Sequence, residues 1–245
     1  MPFLSNALAN NGAELTDAGR SAWHLVTRLG EAQILLPAML VAVLWLVLVV
    51  RSTRMALWWL AGTALAASIT TATKLAFFGY EVGYAPLDYT GISGHATFAA
   101  AVLPVLAGIL AGSANARWQR AAVAASYGLA ALVAYSRLRV GAHSGVETTA
   151  GLALGSLASA LALNANRLPA VRPPYWLGVG LTLWMLSLPF GAPPSPTHGW
   201  VVRLSLAVSN RNEPYSRSLM HRDHRRELQR RGAAQLSAQA AARWR

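Results

Sequence analysis

The stretch that decides the fold is SGHATFAAAVLPVLAGILAGSANA, from Ser93 to Ala116. Residues 96–116 carry no charge, enough to cross the hydrocarbon layer as a helix, which takes ~17–25 residues. Five further uncharged stretches cover 32–50, 55–73, 121–136, 148–166 and 173–197. The 121–136 stretch falls just short of that range and must borrow a turn from its flanks. None of the six alternates polar with apolar residues, so they read as helices rather than barrel strands. The expectation is an all-α polytopic membrane protein with six transmembrane helices over 34–197. An interfacial N-terminal segment, 1–33, precedes this domain, and a basic tail, 198–245, follows it.

Composition agrees. Of 245 residues 54% are hydrophobic and 12% charged, against about 25% charged in ordinary soluble domains. Mean hydropathy is +0.36. There is no cysteine, which removes a disulfide framework and a thiolate metal site. Residues 1–33 hold no compact apolar core after a basic start, so no cleavable signal peptide is expected and the first span serves as the insertion signal.

The formal charge of +12 does not point to nucleic acid. Ten of the 21 basic residues lie in 198–245, and the other eleven are scattered around the spans. Twenty of the 21 are Arg; Lys74 is the exception. Three inter-span loops each carry two arginines and no acid: Arg51 and Arg54, Arg117 and Arg120, Arg167 and Arg172. Six spans put these loops on one side, cytoplasmic by the positive-inside rule. Loops 74–95 and 137–147 then face the periplasm or exterior of a bacterial-type inner membrane. The basic tail from Arg203 resists this, because six spans starting outside also end outside. Either the tail carries little orienting weight, or a further segment around 199–209 returns the chain.

The outward loops hold the chemistry. Ser93-Gly94-His95 opens an apolar run, where a Ser cap, free backbone N–H groups and a positive helix end make an anion site; a plain cap with an interfacial histidine is the alternative. Ser136-Arg137, His143 and Glu147 follow the next outward-ending span. Arg137 offers a planar fork for phosphate oxygens. His143 and Glu147, four apart, share a helix face, and a carboxylate on Nδ1 leaves Nε2 as the nucleophile. Ser144-Gly145-Val146-Glu147 also fits a capping box, and one glutamate can serve both purposes. Lys74, at the end of the second span, reads as a snorkelling residue or a phosphate ligand.

The ordered set Lys74, Ser93-Gly94-His95 and Ser136-Arg137-x5-His143-x3-Glu147 resembles the type-2 phosphatidic acid phosphatase superfamily, which also includes vanadium haloperoxidases. The resemblance covers roughly residues 34–190. It implies a six-helix membrane phosphatase that uses no metal and no other cofactor. In that likeness His143 attacks phosphorus, Glu147 orients it where the family usually has Asp, and His95 protonates the leaving alkoxide. Lys74, Ser93, Gly94 and Arg137 cradle the phosphoryl oxygens.

Two departures stand out. Glu81 and Val82 occupy positions where the family's first motif has Arg-Pro, and Ile92 stands where Pro usually precedes Ser-Gly-His. Arg139, two residues beyond Arg137, would replace the missing cation if that loop were extended, because i and i+2 then point the same way. In a helix the two would lie roughly 200° apart. Gly141 and the cap at Ser144 favour the extended reading. The expected function is hydrolysis of a lipid phosphomonoester or pyrophosphate in the bilayer, with phosphatidic acid, phosphatidylglycerol phosphate and polyprenyl pyrophosphate as candidates. The rivals are a catalytically silent lipid-phosphate binding or transport protein and a vanadate-dependent haloperoxidase relative.

Overall fold

The computed structural model describes residues 22–112, 115–165, 171, 173–191 and 195–243. Arg167 and Arg172, used in the orientation argument, lie outside the described residues, as do residues 1–21. Eight α-helices run through the described residues: α1 (Ala32–Leu48), α2 (Thr53–Tyr80), α3 (Gly94–Leu110), α4 (Ala116–Arg139), α5 (Gly145–Ala165), α6 (Tyr175–Gly191), α7 (Thr197–Ser209) and α8 (Arg217–Arg243). A helical turn at 22–28 leads into α1. Among the described residues the only β-pairing is an isolated bridge, Tyr84 to Tyr89.

Each apolar stretch became a helix, but their lengths differ from a uniform six-span bundle. Four segments are long and apolar enough to cross a membrane: Ala22–Leu48, Thr53–Tyr80, Ala116–Arg139 and Gly145–Ala165. The apolar helices Gly94–Leu110 and Tyr175–Ser187 are shorter. At 1.5 Å per residue α3 spans only about 26 Å. It is also the most enclosed helix, with most of its side chains buried. Helices α1, α2, α4 and α5 all pack against it. The lipid-facing surface belongs to the others, where Leu40, Leu48, Leu57, Leu65, Leu157 and Leu183 stay exposed, an apolar coat that water would not support. This is a membrane protein.

Small residues set how closely α3 meets α5. A Cβ at Gly151 would stand 2.6 Å from the Ser93 carbonyl oxygen and 3.2 Å from Ala96 Cβ. Only glycine lets the backbones approach this way, as small residues commonly do between membrane helices. Two tryptophans bond across helix interfaces: Trp59 Nε1 donates to the Ala101 carbonyl at 2.9 Å, and Trp184 Nε1 to that of Ile34 at 3.0 Å.

Among the described residues after α6, no helix is long and apolar enough to cross a membrane. Helix α7 has 13 residues, about 20 Å, and lies against α2. The segment after it folds back onto the loop that joins α2 to α3. The tail and the loops 81–93 and 140–144 therefore share one face of the molecule.

Candidate active site

Four helix ends converge on that face: the C-termini of α2 and α4 and the N-termini of α3 and α5. Beside them opens a cavity of about 540 Å³, lined from α1, α2, α3, α7, Arg137 of α4 and the turn after it. Its polar wall is Lys74, Gly94, His95, Arg137 and His143. Its apolar wall is Leu36, Phe78, Phe98, Trp200 and Val201.

The local reasons are legible. Ser93 takes extended backbone angles as the N-cap of α3, leaving the first-turn amides without intrahelical acceptors. Its side chain makes no capping bond, and Ser93 Oγ is buried with no hydrogen-bond partner among the described residues. The Ser93 N–H donates to the Glu147 carbonyl at 3.0 Å, which ties α3 to α5 at the site. Gly91 has φ +133°, and a Cβ there would meet Lys74 Cγ at 3.0 Å. Glycine thus lets the loop pass over the lysine stem. A Cβ at Gly94 would lie 3.9 Å from Lys74 Nζ, so the ammonium sits beside the start of α3. Arg137 Nη1 donates to Thr27 Oγ1 at 2.9 Å, while its Nε is buried without a partner among the described residues.

His143 lies in the turn between α4 and α5. Its Nδ1 meets Glu147 Oε2 at 2.6 Å. A carboxylate can only accept, so Nδ1 carries the proton and Nε2 keeps the lone pair. Burial pushes the imidazole below the ordinary histidine range; the bond to Glu147 opposes that push, and the charge of Lys74 adds to it. His143 is therefore a neutral base at pH 7. Glu147 is fully buried. Its Oε1 accepts from the Thr90 N–H at 2.5 Å and Thr90 Oγ1 at 2.6 Å, and its Oε2 from the Ser144 N–H at 3.1 Å. Ser144 Oγ accepts weakly from the Glu147 N–H at 3.4 Å. The capping pattern and the His143 contact thus coexist on one side chain.

The family model described as the PAP2 superfamily, the type-2 phosphatidic acid phosphatases, matches residues 75–168. An uncharacterised 22.5 kDa protein in the cps region of Klebsiella pneumoniae is 36% identical over 206 residues, which are 82% of this chain and 98% of that one. The chain belongs to the type-2 phosphatidic acid phosphatase superfamily. No solved structure matches it. Membership supports phosphatase-type activity in the coarse sense.

The superfamily's motif positions distribute unevenly around the cavity. Lys74, Gly94, His95, Arg137 and His143 line it, whereas Ser93 and Glu147 stand behind the wall. The extended reading of Arg139 is corrected: α4 continues through Arg139, with Val140 as its C-cap. Gly141, at φ +68°, turns the chain only after both arginines are fixed as helical. Arg139 is exposed and does not line the cavity. Glu81, in the first-motif arginine position, is also outside the cavity; it pairs with Arg211 at 2.5 Å.

Three contributions lie outside the motifs read from sequence. Thr27 and Gly30 bring the N-terminal turn to the site. His198 and Trp200 bring α7, with His198 stacked edge-on against Phe78 at 5.6 Å. Arg217 comes from α8. A histidine directly after the last apolar stretch was the one local cue available, and it pointed only to a span end.

Proposed function

We propose that this protein is a membrane phosphatase hydrolysing a lipid phosphomonoester or pyrophosphate through a phosphohistidine. The observation that carries the reading is the 2.6 Å contact between His143 Nδ1 and Glu147, which leaves Nε2 as a lone-pair donor at a cavity walled by Lys74 and Arg137. In the first step Nε2 attacks phosphorus and the bond to the leaving oxygen breaks, with His95 giving that oxygen its proton. In the second, water attacks phosphorus, the P–N bond breaks, and His95 takes the water's proton, releasing inorganic phosphate. Lys74, Arg137 and the α3 amides at Gly94 hold the phosphoryl oxygens, whose charge spreads in the transition state. A wall of His95, His143 and His198 with Lys74 and Arg137, and no carboxylate lining it among the described residues, suits an anion better than a divalent metal. The apolar wall suits an acyl or prenyl chain.

Phosphate release from phosphatidic acid, phosphatidylglycerol phosphate and a polyprenyl pyrophosphate in detergent or vesicles is the test. Turnover should persist in EDTA and be blocked by vanadate. His143→Ala should remove it, by roughly 10³-fold or more, with membrane yield unchanged. Normal turnover by that variant would refute the mechanism, and rescue of an EDTA-killed enzyme by magnesium would refute metal independence. The missing first-motif cation favours a second reading, a silent lipid-phosphate binding protein, and the same assay separates them: phosphate bound but never released.

The cation-lined face is proposed to lie outside the cytoplasm. Arg51, Arg54, Arg117 and Arg120 motivate this, since they sit at the opposite helix ends. A cysteine introduced at the exposed Tyr84 should react with an impermeant thiol reagent in intact cells; protection there until the cells are opened would reverse the orientation.

A further inference from the structure

The C-terminal segment docks onto the catalytic face through independent contacts. The Tyr215 N–H donates to the Phe78 carbonyl at 2.9 Å, and the Tyr215 ring packs on Phe77 with centroids 5.4 Å apart. His221 Nε2 meets Asp88 Oδ1 at 2.6 Å. Between these anchors lies Arg217. Its Nη2 donates to Glu147 Oε1 at 3.0 Å, to Glu147 Oε2 at 2.9 Å and to Thr90 Oγ1 at 3.1 Å. Its Nη1 donates to the Asp88 carbonyl at 2.9 Å and to the Asp88 carboxylate.

We propose that Arg217 is a positioning residue for the reaction, holding Glu147 so that His143 presents Nε2 to phosphorus, and that the tail segment carrying it completes the active site. The inference rests on reading His143 as the nucleophile. A fully buried carboxylate requires donors for its lone pairs and a compensating charge. Thr90 and Ser144 supply neutral donors. Arg217 is the permanent cation that touches the carboxylate among the described residues. Its guanidinium fixes the plane of the carboxylate, which fixes the ring of His143 through Nδ1. It also meets the charge demand of Glu147, which would otherwise fall on His143. An imidazolium at 143 has no lone pair on Nε2 and cannot attack.

The titratable and charged groups around His143 are Lys74 from α2, His95 from α3, Arg137 from α4, Glu147 from α5, His198 from α7 across the cavity and, behind Glu147, Arg217 from α8. Removing Arg217 leaves the carboxylate uncompensated and raises the affinity of His143 for a proton. The acid limb of kcat/KM should therefore move to higher pH.

Arg217→Gln in the full chain should lower kcat at neutral pH by roughly 10–100-fold with KM nearly unchanged, the range for outer partners of a reacting histidine. Its acid limb should shift upward; Arg217→Lys, which keeps the charge but not the fork, should recover most of the acid limb and only part of kcat. In a Glu147→Gln background, Arg217→Gln should cost little more, because the two act through one contact. Arg225→Gln, exposed on the same helix, should match the parent. A loss confined to KM, an unmoved acid limb, or full additivity with Glu147→Gln would overturn the proposal. If Arg217→Gln does not accumulate, Arg217→Lys carries the test with a smaller shift in the same direction. Diethyl pyrocarbonate modification of His143 near pH 6, followed by peptide mass, is independent of turnover. It should be slower in Arg217→Gln than in the parent, and equal rates would overturn the positioning role. If the parent releases phosphate from no substrate, the proposed function falls while this labelling still decides the role of Arg217.

Discussion

Arg137 and Arg217 both lie close to the His143–Glu147 pair, and their donors end in opposite places. Arg137 enters from α4, lines the cavity, and spends Nη1 on Thr27 while its buried Nε has no partner among the described residues. Arg217 enters from α8 and spends both terminal nitrogens on protein acceptors, chiefly Glu147 and Asp88. A guanidinium with donors left over at a cavity wall is available to a ligand. One whose donors are consumed by a carboxylate acts on that carboxylate. The difference teaches that the charge of a residue near the nucleophile does not assign its role; where its donors end does.

The sharpest way to break this comparison is at Arg137. On the proposed mechanism Arg137→Ala removes a cation from the place where phosphoryl charge would develop, and should cost about 2–4 kcal/mol in kcat/KM. Phosphate-release kinetics at matched expression measure it. A loss no larger than that of Arg217→Gln would erase the distinction between a ligand-facing and a carboxylate-facing arginine. The Arg217 effect, acting through Glu147, should fall below it and appear in kcat.

The two arginines also differ in how far they could be read from sequence. Arg137 lies six residues before His143, inside a motif whose spacing survives because α4, its closing turn and α5 are contiguous. The same contiguity made Ser93-Gly94-His95 legible: an apolar run needs a start, and its first turn is an anion site. Apolar runs likewise located six helices, since in a membrane the backbone has few other solutions. What they did not settle was length. α3 can be short because its neighbours enclose it, and enclosure is a tertiary fact. Arg217 meets Glu147 across 70 positions of chain, in a stretch whose Arg, His and Ser content reads as solvated. Its partner Asp88 sits in the outward loop, and no periodicity links them. Glu81, which by motif position stands in for a lost cation, is matched by Arg211. That pairing makes the departure from the first motif part of the tail's docking surface.

Arg139 supplies the smallest and most discriminating effect. The sequence favoured an extended segment after Arg137, on the strength of Gly141 and the cap at Ser144. Helical propensity prevailed instead, because nothing between Ala116 and Arg139 interrupts α4, and the chain leaves helical geometry only at Val140. Two residues on a helix differ by about 200°, so with Arg137 turned into the cavity, Arg139 faces outward, where it is exposed. An exposed arginine at a membrane helix end reaches toward headgroups or water and contributes little to a reaction it does not touch. Arg139→Ala should therefore leave kcat/KM within about twofold of the parent, since surface substitutions away from caps and networks are usually worth less than ~0.5 kcal/mol. The measurement is the phosphate-release assay used for Arg137→Ala, run side by side. A loss at Arg139 comparable to that at Arg137 would mean that the end of α4 unwinds when substrate binds, bringing both guanidiniums onto one phosphate and making the helical turn a resting state of the site.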